Sequence, residues 1–122
     1  MFGFEKLEVW KRSLDFANDL FEVADKLPAR YQPSLGDQVR RASLAIPTNI
    51  AAGSGRTDGK EQAHFYDAAK GSIYEVVSLL AMTGKRGQLS REAYQTFHQE
   101  ADELTAMLNT LVQSAGTRTN KT

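Results

Sequence analysis

Apolar residues recur every three or four positions along almost the whole chain, and the recurrence is interrupted at three places. In the first stretch Leu7, Trp10, Leu14, Ala17, Phe21 and Ala24 step along one face of a helix, and Pro28 ends it. Ser34 with Asp37 three residues on reads as a capping box with Asp in place of Glu. From there Leu35, Val39, Ala42, Ile46 and Ile50 continue the stripe over a second helix spanning 34 to 55. Asp58 and Glu61 repeat the start signal for a third stripe of Phe65, Ala69, Ser72, Val76, Leu79 and Thr83, which Gly84 to Gly87 bring to a stop. Ser90 caps a fourth helix along Tyr94, Phe97, Ala101, Leu104, Leu108 and Leu111.

Helices of about 20 to 25 residues are roughly 30 to 38 Å long at 1.5 Å per residue, and such matched lengths favour a bundle. The connections at 28–33, 56–58 and 85–89 are short, which predicts sequential neighbours lying antiparallel. The expected fold is all-α: an up-down-up-down antiparallel four-helix bundle over 1–115, followed by a flexible polar tail at 116–122. No alternating run of β-branched or aromatic residues suggests a strand.

Composition narrows the class. The 122 residues fit one domain, and 15 basic residues balance 15 acidic ones, so no net field draws the whole chain to nucleic acid or anionic lipid. Absence of cysteine excludes disulfides, thiolate metal sites and a cysteine nucleophile. No apolar run reaches the length of a membrane span, so the expectation is a cytoplasmic protein without a membrane partner.

The stretch Arg40 to Arg56, RRASLAIPTNIAAGSGR, resembles a phosphate loop only at first sight. Gly53 and Gly59 are separated by five residues, Gly55 and Gly59 by three, and Glu61 follows Lys60 where a P-loop needs Ser or Thr for magnesium. The glycines are helix punctuation. Pro47 lacks an N–H and crowds the carbonyl of Ser43, yet the apolar phase survives from Ile46 to Ile50, which predicts a helix kinked at Pro47 and not ended there. Glu61 and His64 have the Glu-x-x-His spacing of di-metal bundles, but His98 is the only other histidine and Gln95 occupies its partner position. No metal, cofactor or catalytic residue is assigned.

The third helix carries more apolar residues than one seam needs: Tyr66, Ile73, Val77 and Leu80 form an adjoining strip. The first helix adds Val9, Phe16 and Leu20 off its seam. A second strip on so small a domain predicts a homo-oligomer with Tyr66, Ile73, Val77 and Leu80 at the interface. Glu75 sits amid Ile73, Val76, Val77 and Leu79; a carboxylate buried there needs a cation, and Arg40 or Arg41 is the expected partner in a structural ion pair.

Three segments, FEKLEVWKRSLDFA, QVRRASLAIPTNIAAGSGR and FYDAAKGSIYE, together resemble the small four-helix-bundle proteins encoded by intervening sequences in bacterial 23S ribosomal RNA genes. The resemblance extends from residue 4 to about 112 and rests on Trp10, Arg40-Arg41-Ala42 ahead of Ile46-Pro47, Asn49-Ile50-Ala51 ending at Gly53, and Gly71-Ser72 with Glu75. Ala52 stands where that family commonly has Glu. The resemblance implies a homo-oligomer, commonly a pentameric ring, without enzymatic activity, and includes an accessory protein of diversity-generating retroelements that binds nucleic acid and a reverse transcriptase. Two functions follow from it. In one, Lys11, Arg12, Arg40, Arg41, Arg56 and Lys60 are presented to RNA or DNA on the assembled ring. In the other, the arginines are engaged in ion pairs and the bundle is a scaffold for another protein.

Overall fold

The computed structural model describes residues 1–120, with side chains as far as Gly116. Its helices are α1, Glu8–Asp25, α2, Asp37–Ser54, α3, Gly59–Lys85, and α4, Arg91–Asn120, and no strand occurs among the described residues. A 3-10 turn at Gly3–Lys6 precedes α1, and a second at Ala29–Tyr31 runs into a π turn at Gln32–Gly36 between α1 and α2. The backbone of α4 is described past position 115, while the flexible tail expected beyond it falls mainly on side chains outside the described residues.

Local chemistry explains where these helices start and stop. The Asp58 carboxylate accepts from the Glu61 N–H at 3.4 Å and caps α3, and the Ser90 hydroxyl accepts from the Ala93 N–H at 3.1 Å at the head of α4. At the end of α3, Gly87 takes φ +72°, the Gln88 N–H reaches the Thr83 carbonyl and the Gly87 N–H reaches that of Gly84, a Schellman closure that needs the left-handed glycine. The capping box expected at Ser34 does not form: Ser34 donates to the Tyr31 carbonyl, and α2 begins at Asp37 after the π turn. Gln32 closes α1 instead, its amide donating to the carbonyls of Ala24 and Leu27. These irregular turns shorten α1 and α2 to 18 residues each, against 27 for α3. Helix α2 passes through Pro47 without interruption.

The helices pack in chain order, α1 on α2, α2 on α3, α3 on α4, and the circuit closes through a sparser α1–α4 contact. Gly53 meets Phe65 and Tyr66, while Arg41 meets Glu75; Phe16 meets Phe97, while Arg12 meets Glu100. In both pairs of helices the partners ascend on one and descend on the other, the order that antiparallel neighbours produce.

Buried positions recur mostly at steps of four and three. In α3 they are Gly59, Gln62, Tyr66, Ala69, Ile73, Val76, Leu80 and Thr83; in α1, Val9, Ser13, Phe16, Leu20 and Ala24, with Ala17 beside them; in α2, Val39, Ser43, Ile46, Ile50 and Gly53, with Ala42 and Pro47 beside them. This is the heptad spacing of knobs-into-holes packing. It corrects the sequence-based faces of α1 and α3 in part: Ala17 and Ala24 of the first stripe and Ala69, Val76 and Thr83 of the third are buried as expected, while other members lie to the side of the seam. Tyr66, Ile73 and Leu80, expected at a subunit interface, are core residues of their own chain at 4%, 1% and 1% exposure, and only Val77 of that strip remains partly exposed. Val9, Phe16 and Leu20 are likewise core, whereas Leu14, assigned to the α1 seam, is 45% exposed.

Candidate interaction surfaces

The buried Ser13, Ser43, Gln62 and Thr83 each bond back to their own helix or an adjoining turn. Ser13 donates to the Trp10 carbonyl, Ser43 to that of Arg40, Thr83 to that of Leu79, and Gln62 to that of Arg56. Among the described residues no buried side-chain nitrogen or oxygen lacks a partner, and no three His, Asp or Glu groups converge in a way that could hold a metal. His64 and Glu61 both lie exposed near the start of α3. No described helix is long and apolar enough to cross a membrane. The described surface carries cations and apolar patches.

Three of the six basic residues singled out from the sequence are engaged with carboxylates, and each joins a different pair of helices. Arg12 of α1 forks onto α4: its Nε donates to Glu100 at 3.1 Å, and its Nη2 donates to Glu100 and, at 2.8 Å, to Glu103. Hydrogen bonds donated to Glu100 and then to Glu103 hold the Arg12 guanidinium well above its ordinary pKa, and the bond from Arg12 holds the Glu103 carboxyl below its own. Arg40 of α2 donates from Nε and Nη2 to Asp25 at the end of α1, at 3.0 and 2.8 Å, and from Nη2 to Gln32; its Nη1 lies 3.4 Å from Asp37. Arg41 places Nη2 2.7 Å from Glu75 of α3. The expected partner of Glu75 is thus Arg41 and not Arg40, which is turned toward α1. The premise of burial needs correction: the two side chains are 64% and 40% exposed, because position 75 lies beside the 73–76–80 seam and not in it.

The other three cations have no carboxylate within ion-pair reach among the described residues. Lys11 and Lys60 project from α1 and α3, and the Arg56 guanidinium lies over the Phe65 ring, 4.8 Å from its centroid. Arg56 and Lys60 flank the short α2–α3 turn.

A cluster that the sequence did not disclose lies at the other end of α2. Arg30 and Arg86, from the α1–α2 and α3–α4 connections, both lie against Tyr31, at 4.7 and 5.6 Å from its ring centroid, and Arg86 Nε donates to the Tyr31 hydroxyl at 2.9 Å. Arg86, and secondarily Arg30, hold the Tyr31 phenol below its ordinary pKa. Residues 31 and 86 meet across 55 positions of sequence, a distance no local motif reports.

Two of the uncovered apolar surfaces among the described residues lie along neighbouring helices. Leu14, Ala17 and Phe21 of α1 with Leu44 and Pro47 of α2 line one groove, in which Leu14 and Leu44 are 45% and 50% exposed. Tyr74, Val77 and Ala81 of α3 with Tyr94 and His98 of α4 line another, in which Tyr74 is 61% exposed. The signal for both was present in the heptad pattern, since Leu14, Leu44 and Tyr74 fall outside the 4–3 positions.

The model of the 23S rRNA-intervening sequence protein family matches residues 5–110. No curated protein matches the chain.

Proposed function

The chain belongs to the 23S rRNA-intervening sequence protein family, and from that premise we propose that it is a non-catalytic, homo-oligomeric bundle joined through its two uncovered apolar grooves. The observation that carries this reading is that the grooves are different and lie on different helix pairs, α1–α2 and α3–α4. A contact between unlike patches is head-to-tail, and such contacts generate a ring when the rotation closes. Five subunits is the expected number, from the likeness to the family's pentamers. This places the interface on Leu14, Leu44, Tyr74 and Val77, in place of the core residues Tyr66, Ile73 and Leu80. Light scattering coupled to size exclusion tests it: a single species of five 13.5 kDa chains is expected, and a monodisperse monomer at micromolar concentration overturns it.

Assembly would repeat Lys11, Arg56 and Lys60 around the ring, and of the six cations singled out from the sequence these three are better placed for RNA or DNA than Arg12, Arg40 and Arg41. The engagement of those three arginines favours the second reading, a scaffold for a protein partner. Binding measured at two salt concentrations separates the two, because neutralising phosphates makes affinity fall steeply with salt.

A further inference from the structure

Arg30 and Arg86 are brought together by the fold with nothing of opposite charge between them. Both contact one tyrosine ring, so their guanidinium carbons are no farther apart than about one Debye length at 0.1 M salt, about 10 Å. The carboxylates engaged at this end, Asp25 and Asp37, are both taken by Arg40, and neither arginine forms an ion pair among the described residues. Two like charges on one tyrosine, on turns fixed by the Schellman closure at Gly87 and the 3-10 turn at Ala29–Tyr31, add their attraction for a single anion placed between them. Stacking against Tyr31 leaves guanidinium edges available, and Arg86 commits only Nε to the phenol. A planar fork of this kind matches the oxygens of a phosphate bidentately.

We infer that Arg30, Tyr31 and Arg86 form a phosphate-binding site at the end of the bundle where the α1–α2 and α3–α4 connections meet. It lies at the opposite end of α2 from Arg56 and Lys60 and does not depend on the oligomer. The phosphate comes either from a free phosphate compound or from the backbone of a nucleic-acid strand, and the same chemistry serves both. The lowered Tyr31 pKa accords with the site: the pair of cations already favours negative charge at the phenol oxygen.

The full-length chain is titrated with pyrophosphate by calorimetry and with a labelled single-stranded RNA by fluorescence anisotropy, for the wild type and the double variants Arg30→Gln/Arg86→Gln and Arg30→Lys/Arg86→Lys. The glutamine pair is expected to lose tenfold or more in affinity for at least one probe, and the lysine pair to recover part of it, because charge is restored without the fork. RNA bound more tightly than pyrophosphate, with a salt slope reduced by one to two in the glutamine pair, identifies a nucleic-acid strand as the source. Pyrophosphate bound without RNA identifies a free phosphate compound. Should the glutamine pair fail to fold, wild-type phenolate absorbance gives the answer: pyrophosphate should move the first tyrosine titration to higher pH as it neutralises the two cations. Three results overturn the proposal: a wild type that binds neither probe, a folded glutamine pair that binds as the wild type does, or polyglutamate competing as well as pyrophosphate.

Discussion

Gly53 shows how tightly single atoms are specified in this bundle. A Cβ built there would lie 2.9 Å from the Phe65 Cβ, which is fixed to the α3 backbone, and 3.0 Å from the ring of Tyr66, which is itself buried in the core. Gly53→Ala is expected to destabilise by about 1 to 3 kcal/mol in denaturant melts, although alanine is the better helix former. Two carboxylates that line a cleft between α1 and α4, Glu103 and Asp19, carry opposite pH dependence. Arg12 depresses the Glu103 pKa, so the stability it adds is present above the unfolded-state value, about 4.3, and is lost as pH falls through the lower folded value. Partial burial, then Glu22 and Asp15, raise the Asp19 pKa, so its ionised form weakens the fold at neutral pH and that cost disappears once it is protonated. Asp19→Asn should therefore raise the melting temperature at pH 7 and leave it unchanged below about pH 3.5, under the ordinary aspartate value. A gain of equal size at both pH values would refute this.

At the scale of elements, ends were legible in the sequence and faces only in part. Asp58, Ser90 and the Gly84 to Gly87 stop are local signals, and the structure uses each as read. The faces of α1 and α3 were ambiguous, because steps of three and four also connect the residues one position away from the true seam; Leu7–Trp10–Leu14 and Val9–Phe16–Leu20 are both valid stripes until a neighbour chooses. Ala17 and Ala24 of the expected stripe are buried, whereas the Trp10 indole lies half-buried against Phe4, 4.8 Å between rings, outside the seam. The start of α2 was misread because a π turn leaves no composition of its own. Pro47 is both helix interior and groove wall. Pro47→Ala should leave helix content by circular dichroism unchanged within error while weakening self-association, and a loss of helicity would show that the proline is needed for the fold itself.

For the whole molecule, the unlike grooves make a prediction that a symmetric dimer would not. Leu44→Glu and Tyr74→Glu each spoil one groove and leave the other intact. Each variant alone should run as a monomer. An equimolar mixture should give a dimer and nothing larger, since only one good pair of grooves can meet; a full-size ring from either single variant would remove that groove from the interface. Which long-range contacts the molecule makes was the least legible part of the chain. Arg41 and Glu75 could be matched because α2 and α3 are consecutive, whereas pairing Arg12 with Glu100 and Glu103 requires knowing that the first and last helices touch and in what register.

That last contact also bears on the order in which the bundle comes apart. The α1–α4 seam is the sparsest of the four, and its ion pairs join residues 88 and 91 positions apart, so closing it requires the largest loop in the molecule. The three consecutive helix pairs can form before it, which predicts that this seam closes last in folding and opens first in unfolding. Removing Arg12 should then act on one limb of a chevron only: Arg12→Ala is expected to speed unfolding severalfold and leave the refolding rate within a factor of about two, as for any contact absent from the transition state. In hydrogen exchange the same asymmetry would appear as early loss of protection along the facing sides of α1 and α4 while the α2–α3 pair stays closed.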